Sequence, residues 1–161
     1  MCYVVRNLKI TSSSVIVAEI HTVRIDVKIR TIKKIVHRKW KDYKLTYEQI
    51  MNIDPKIRLV TTCDINGKIM YSDYRGGVEI LLTPQVSKKS LKQASDAWKI
   101  RTQLTPKIGK GKYVLAEYEK VTRITMPLGN NHLLFVTAEV EADHLSIIGK
   151  IQEISSQTQD Y

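Results

Sequence analysis

Between residues 23 and 30, apolar and charged positions alternate without exception. The apolar positions are Val23, Ile25, Val27 and Ile29. A period of two is typical of a β-strand that has one buried face and one solvated face. We therefore expect residues 1–30 to form an N-terminal extension that contains a strand.

The period then lengthens to three or four residues. The apolar and aromatic side chains on this longer period are Ile32, Val36, Trp40, Tyr43, Tyr47 and Ile50. Their spacing predicts one stripe of a helix. The helix either spans residues 31–53 or breaks near Leu45 and restarts at Thr46, which suits the first position of a capping box. Asp54-Pro55 ends it in both cases, because a residue before proline avoids the α conformation.

A β-hairpin is predicted next in the chain. Two β-prone runs, residues 57–65 and 68–74, flank Asn66-Gly67. Asn-Gly supplies the positive φ angles that a two-residue type I′ turn requires. We therefore expect two antiparallel strands joined by a tight turn.

A second helix is predicted from Thr83-Pro84 to about Leu104. Threonine is a favoured N-cap residue, and proline is favoured at the first helical position, where its missing N–H costs nothing. The lysine-rich segment 107–112 then follows as a basic loop.

Three further strands and a last helix are predicted after that loop. The strands cover about 113–119, 121–128 and 132–140, and Asp143 is placed to cap the helix. The predicted apolar face of this helix consists of Leu145, Ile148, Ile151 and Ile154, with Ile147 beside them. The order helix, two strands, helix, three strands, helix predicts an α+β fold, in which helices flank a five-stranded antiparallel sheet.

Length and composition agree with this interpretation. The chain has 161 residues, and a single domain typically has roughly 100–200. We expect one α+β domain over residues 31–154 and a polar tail over 155–161. No apolar run approaches the roughly 20 residues of a membrane span, and the N-terminus does not resemble a signal peptide. The two cysteines fit a reducing compartment, so we expect a cytoplasmic location.

No residue pattern predicts catalysis. The four histidines are His21, His37, His132 and His144, and no two of them have the spacing of a helical metal-binding pair. The segment 109–112 contains two Gly-Lys pairs but does not match a phosphate-binding loop. We therefore predict no catalytic residue, no metal site and no cofactor.

The element order, the Asn-Gly hairpin and the long middle helix resemble the roadblock/profilin-like modules. Over about residues 43–154 the chain also resembles a family of small archaeal proteins from ammonia-oxidising lineages, which has no assigned activity. The segments that carry this second resemblance are Ile53-Asp54-Pro55-Lys56-Ile57-Arg58-Leu59-Val60, Asp64-Ile65-Asn66-Gly67-Lys68-Ile69, Arg75-Gly76-Gly77-Val78, Leu82-Thr83-Pro84 and Met126-Pro127-Leu128-Gly129. Residues 1–42 lie outside the resemblance, either as a true extension or upstream of the translated start.

The roadblock resemblance implies a dimerising regulator or scaffold that has no catalytic activity of its own and often serves a small GTPase. We therefore predict a non-enzymatic protein–protein interaction module that forms a homodimer and binds a further protein. The candidate dimer contact is the stripe Leu91, Ala94 and Trp98 on the second helix. The same stripe is equally typical of an intramolecular core.

Charge supports a second hypothesis, which is binding to nucleic acid. Of the 26 Lys and Arg residues, 11 lie in residues 1–44, where there are only 3 acidic residues. The candidate phosphate-binding residues are Lys28, Arg30, Lys33, Lys34, Arg38, Lys39, Lys41 and Lys44, together with Lys110 and Lys112 of the loop. Interleaved aromatic and basic residues are common in such surfaces, but they are also what a solvated helix face above a core stripe looks like. A third hypothesis is a small-molecule sensor with a site between sheet and helices.

Overall fold

The computed structural model describes residue 31 and residues 42–157. The predicted strand at 23–30 and residues 32–41 of the predicted first helix lie outside this range. In chain order the elements are α1 over 42–51, β1 Ile57–Asp64, β2 Ile69–Tyr74, α2 Pro84–Gln103, α3 Thr105–Ile108, β3 Val114–Glu117, β4 Thr122–Leu128, β5 His132–Ala138 and α4 His144–Gln157.

The five strands form one antiparallel sheet in the order β2-β1-β5-β4-β3. This sheet and its flanking helices confirm the predicted α+β fold class. The central strand β5 is the most deeply buried, and five of its seven residues are buried. Because successive side chains of a strand point to opposite faces, β5 has to be covered on both sides.

Two apolar clusters provide that cover, one on each face of the sheet. The larger cluster joins α1 and α4 to one face. Its fully buried members include Ile50, Ile57, Ile124, Leu134, Val136 and Ile151. The smaller cluster joins α2 to the opposite face and contains Cys63, Leu91, Trp98, Leu133 and Phe135. The sheet is therefore the middle layer of three.

The helix α1 continues without a break through Leu45 and Thr46. Thr46 donates its hydroxyl to the carbonyl of Asp42 at 3.0 Å, four residues earlier within the helix. The side chain of Thr46 therefore bonds inside a helical turn and does not begin a new helix. Of the two alternatives left by the sequence, the restart at Thr46 is wrong.

The hairpin between β1 and β2 is present, but its turn differs from the predicted type I′ turn. Gly67 N–H donates to the Asp64 carbonyl at 2.9 Å, and Asp64 N–H donates to the Lys68 carbonyl at 2.9 Å. This pattern defines a three-residue loop that ends in a bulge at Gly67, whose φ is +81°. The Asp64 carboxylate accepts from the backbone N–H groups of Asn66 and Lys68, and this local capping favours the longer loop.

The helix α2 begins as predicted. Thr83 is its N-cap, and the Thr83 hydroxyl accepts from Val86 N–H at 3.4 Å, while Pro84 is the first helical residue. The last helix differs in one respect, because Leu145 is 70% exposed and does not belong to the core face. Ile147 takes its place among the buried residues. The helix α4 also continues to Gln157, past Ser155, where the polar tail was expected to begin.

Arg75 ties the end of α1 to the sheet. Its guanidinium donates to the carbonyls of Met51 at 2.6 Å, Asp54 at 2.9 Å and Ile57 at 2.6 Å. The last carbonyls of a helix have no partner within the helix, and a cation there also interacts favourably with the helix dipole. One side chain thus satisfies the C-terminal end of α1 and the first residue of β1 together.

Replacing Arg75 tests this link. We expect Arg75→Met to lower the free energy of unfolding by about 3 kcal/mol, because hydrogen bonds from a charged group contribute about 1.5–3 kcal/mol each and only part of their loss is recovered through water. Urea denaturation monitored by circular dichroism measures the change. The matched control is Arg101→Met on the exposed last turn of α2, which should change stability by less than about 0.5 kcal/mol. Equal effects of the two substitutions would contradict the assignment.

Candidate interaction surface

The predicted dimer stripe on α2 faces the sheet of its own chain. Leu91 is 5% exposed and Trp98 is 4% exposed. Both pack with Cys63 and Phe135, and Ala94 lies partly buried beside them. These side chains occupy the intramolecular position that the sequence left open, so they have little surface to offer a partner. A dimer contact through these three residues stays a prediction.

Cys63 lies under α2 at the centre of this contact. Its side chain is fully buried, and its Sγ lies 3.6 Å from the hydroxyl of Ser95 on α2. Burial raises the pKa of the Cys63 thiol above its ordinary value, and the nearby Asp64 adds to the rise, while the hydrogen bond with Ser95 opposes it. A buried thiol of raised pKa has little nucleophilic thiolate at neutral pH.

The reactivity of Cys63 therefore reports whether α2 covers the sheet. In a Cys2→Ser background, we expect a thiol reagent at pH 8 to modify the native protein at least about 100-fold more slowly than the urea-unfolded chain, because modification requires local opening. The pH midpoint of native modification should also lie higher. Leu91→Ala should accelerate the reaction, and Leu145→Ala on α4 should not. Fast modification of the native chain would show that α2 leaves this face open.

The residues predicted to bind nucleic acid are only partly described. Lys44, Lys110 and Lys112 are described, and the other seven lie outside the range. Lys44 is on α1 and lies 3.6 Å from Glu48 in an exposed ion pair. Lys110 and Lys112 are exposed in the loop after α3. That loop follows α2, which covers the opposite face of the sheet from α1. These three candidate lysines therefore do not form one patch.

The described histidines have structural partners. His132 Nε2 and the Tyr43 hydroxyl share a hydrogen bond of 2.8 Å, and burial together with nearby acidic side chains raises the pKa of Tyr43. His144 Nε2 bonds to the Glu139 carbonyl at 2.9 Å. Within residues 42–157, no group of three or more His, Cys, Asp or Glu side chains is arranged to hold a metal ion.

A small apolar cavity lies between the start of α2 and the sheet. Its volume is about 100 Å³, and its walls include Leu59, Leu82, Leu91 and Phe135. Ligand sites usually have roughly 300–1,000 Å³. This cavity lies below that range, and the small-molecule sensor function stays a prediction.

The strand β3 lies at one edge of the sheet. It pairs with β4, and no other described strand is next to it. Leu115 of β3 is 39% exposed and Tyr118, just after the strand, is 54% exposed. Sequence reasoning assigned the strand but missed its open edge, since strand order depends on pairing over long range.

Further exposed apolar side chains border β3. Leu81, Leu82 and Val86, which precede or begin α2, line an open groove of about 930 Å³ together with Tyr118 and Val121. We call the β3 edge and this groove the edge surface. Within the part of the chain that the structure describes, its outer backbone groups have no strand partner. Exposed apolar side chains lie beside a few charged ones such as Glu117 and Lys120. Such a combination is common in protein-binding surfaces.

Solved structures share this fold. The gliding protein MglB from Thermus thermophilus is similar with a TM-score of 0.61 at 11% identity, covering 75% of this chain and 87% of that one. A roadblock/LC7 domain from Streptomyces avermitilis gives 0.55 at 15% identity, covering 70% and 90%. MglB from Myxococcus xanthus gives 0.53 at 13% identity, covering 68% and 85%. The chain therefore has the roadblock/LC7 fold.

The similarity is one of structure. No protein-family model matches the chain, and no curated protein does. Among the described helices, none is both long enough and apolar enough to cross a membrane.

Proposed function

We propose that this protein is a non-catalytic interaction module that pairs with a second copy of itself through the edge surface. The observation that carries the proposal is the open edge of β3, bordered by exposed apolar side chains. An open edge strand presents a row of N–H and C=O groups that a second strand can pair with. Pairing of β3 with β3 of another copy would extend one sheet across both chains.

The symmetry of the contact supports self-association. In a two-fold dimer the same patch of each copy faces itself. The edge surface suits this arrangement because exposed apolar side chains such as Leu115 and Tyr118 would face their own copies. Its exposed charged residues, Glu117, Glu119 and Lys120, include both signs. The solved structure of MglB in a tetrameric arrangement shows that a protein with this fold assembles with copies of itself, at 9% identity to this chain.

The further partner is proposed by analogy with the roadblock resemblance. A dimer built on β3 would present a continuous sheet and its helices as a scaffold, and a small GTPase is the class of partner that the resemblance suggests. The archaeal family, the cytoplasmic location and the absence of enzymatic activity belong to the same proposal. The proposed absence of enzymatic activity is supported by the described histidines and Cys63, which are engaged in structural contacts.

A charged residue at the β3 edge tests the dimer. We expect light scattering coupled to gel filtration to show a dimer whose dissociation constant changes little between low and high salt, since apolar contacts are not screened. Leu115→Lys should weaken the dimer by at least about tenfold, which corresponds to about 1.4 kcal/mol. The control is Leu145→Lys on α4, where an exposed leucine lies away from the sheet edge, and this variant should remain dimeric.

The same measurement separates the dimer hypothesis from the nucleic-acid hypothesis. A monomer at every concentration, or a dimer that Leu115→Lys leaves intact, would overturn the proposal. A monomer that shifts to larger mass with a mixed DNA and RNA pool only at low salt would favour the nucleic-acid hypothesis, because phosphate binding weakens steeply with salt.

A further inference from the structure

Charge is distributed unequally between the layers of the fold. Residues 84–112, which form α2, α3 and the start of the following loop, hold 8 basic residues and 1 acidic residue. The remaining described residues from 42 to 157 hold 8 basic and 12 acidic residues. The layer on one face of the sheet is thus strongly positive, and the rest of the described fold is negative.

The positive charge continues to the end of this layer in a segment that has no acidic residue. We call residues 100–113 the basic tip. Its cations are Arg101, Lys107, Lys110 and Lys112. None of these four forms an ion pair with another described residue. By contrast, Lys92 and Lys99 earlier on α2 both lie within ion-pair distance of Asp96.

The basic tip also exposes large apolar side chains. Ile100 is 62% exposed, Leu104 is 47% exposed, Ile108 is 78% exposed and Tyr113 is 41% exposed. The three aliphatic residues are four positions apart, and the backbone between them stays helical apart from one irregular residue, Leu104. Isolated exposed leucines are ordinary, but four large apolar residues among four unpaired cations form a distinct surface.

We propose that the basic tip binds the surface of an anionic lipid bilayer. Cations attract the anionic headgroups, while neighbouring aliphatic side chains enter the boundary between headgroups and acyl chains. A tyrosine such as Tyr113 is favoured at that boundary, because its ring is apolar and its hydroxyl polar. The proposal goes beyond self-association, which uses the edge surface.

Other occupants fit the tip less well. In a two-fold contact between copies, the four cations of one tip would face the same four cations of the other, which is repulsive. Nucleic acid would engage the cations through phosphates but would leave Ile100 and Ile108 without an apolar partner. No residue of the tip lines either groove described above. The tip is therefore suited to a broad surface more than to an inserted peptide.

Vesicle flotation with the full chain tests the proposal. We expect binding to vesicles of equal parts phosphatidylglycerol and phosphatidylcholine, little binding to phosphatidylcholine alone, and weaker binding as salt is added. The charge variant Lys107→Gln/Lys110→Gln/Lys112→Gln should lose on the order of 100-fold in affinity, at about fivefold per cation. The aliphatic variant Ile100→Ser/Ile108→Ser should lose at least about tenfold.

Matched controls carry equal changes elsewhere. Lys88→Gln/Lys89→Gln/Lys150→Gln removes the same charge from exposed positions, and Leu145→Ser removes an exposed aliphatic side chain from α4. Both should bind within about threefold of the original chain, since neither alters the tip.

Three outcomes would overturn the proposal. These are no binding to anionic vesicles, equal losses in tip and control variants, and unchanged binding in the tip variants, which would assign any vesicle binding to other residues. Binding of a labelled RNA that falls with the charge variant but not with the aliphatic variant, in the absence of vesicle binding, would assign the tip to nucleic acid instead.

Discussion

The structure depends on burying the two central strands, β1 and β5, on both of their faces. Val136 and Leu133 lie in the same strand, yet they belong to opposite apolar clusters. Neither cluster can form unless helices cover both sides of the sheet. This requirement explains why α1 and α4 share one face while α2 covers the other, and why the apolar stripe of α2 packs within its own chain.

The packing of the α2 stripe determines where a partner can bind. Leu91 and Trp98 are buried against Cys63 and Phe135, so the remaining surfaces are the strand edges and the solvent side of the helices. The open edge of β3 offers backbone pairing with apolar borders, and the solvent side of α2 ends in the basic tip. The two surfaces differ in chemistry. The edge surface combines apolar side chains with charges of both signs, while the basic tip combines aliphatic side chains with cations alone.

Local sequence signals predicted the elements well because their causes are local. Thr83-Pro84 begins α2, Gly67 and Gly129 adopt positive φ in the turns, and the resulting element order leads directly to the fold class. The turn of the first hairpin differs because the Asp64 carboxylate captures two backbone N–H groups, a contact that the Asn-Gly pair does not encode. Arg75 bonds to residues 18 to 24 positions earlier in the chain, and no local pattern predicts such a link.

The candidate surfaces were harder to predict, because exposure depends on which face of each element the fold covers. The α2 stripe has the same pattern whether it packs on its own sheet or on a partner, and only strand order shows that β3 is an edge. The central claim is that this edge is where two copies meet. Hydrogen exchange of the backbone amides of residues 114–117, measured at protein concentrations on either side of the dimer dissociation constant, tests it directly. If two copies pair along β3, protection of the outward-facing amides rises with dimer formation; exchange at the same rate in monomer and dimer would contradict this pairing.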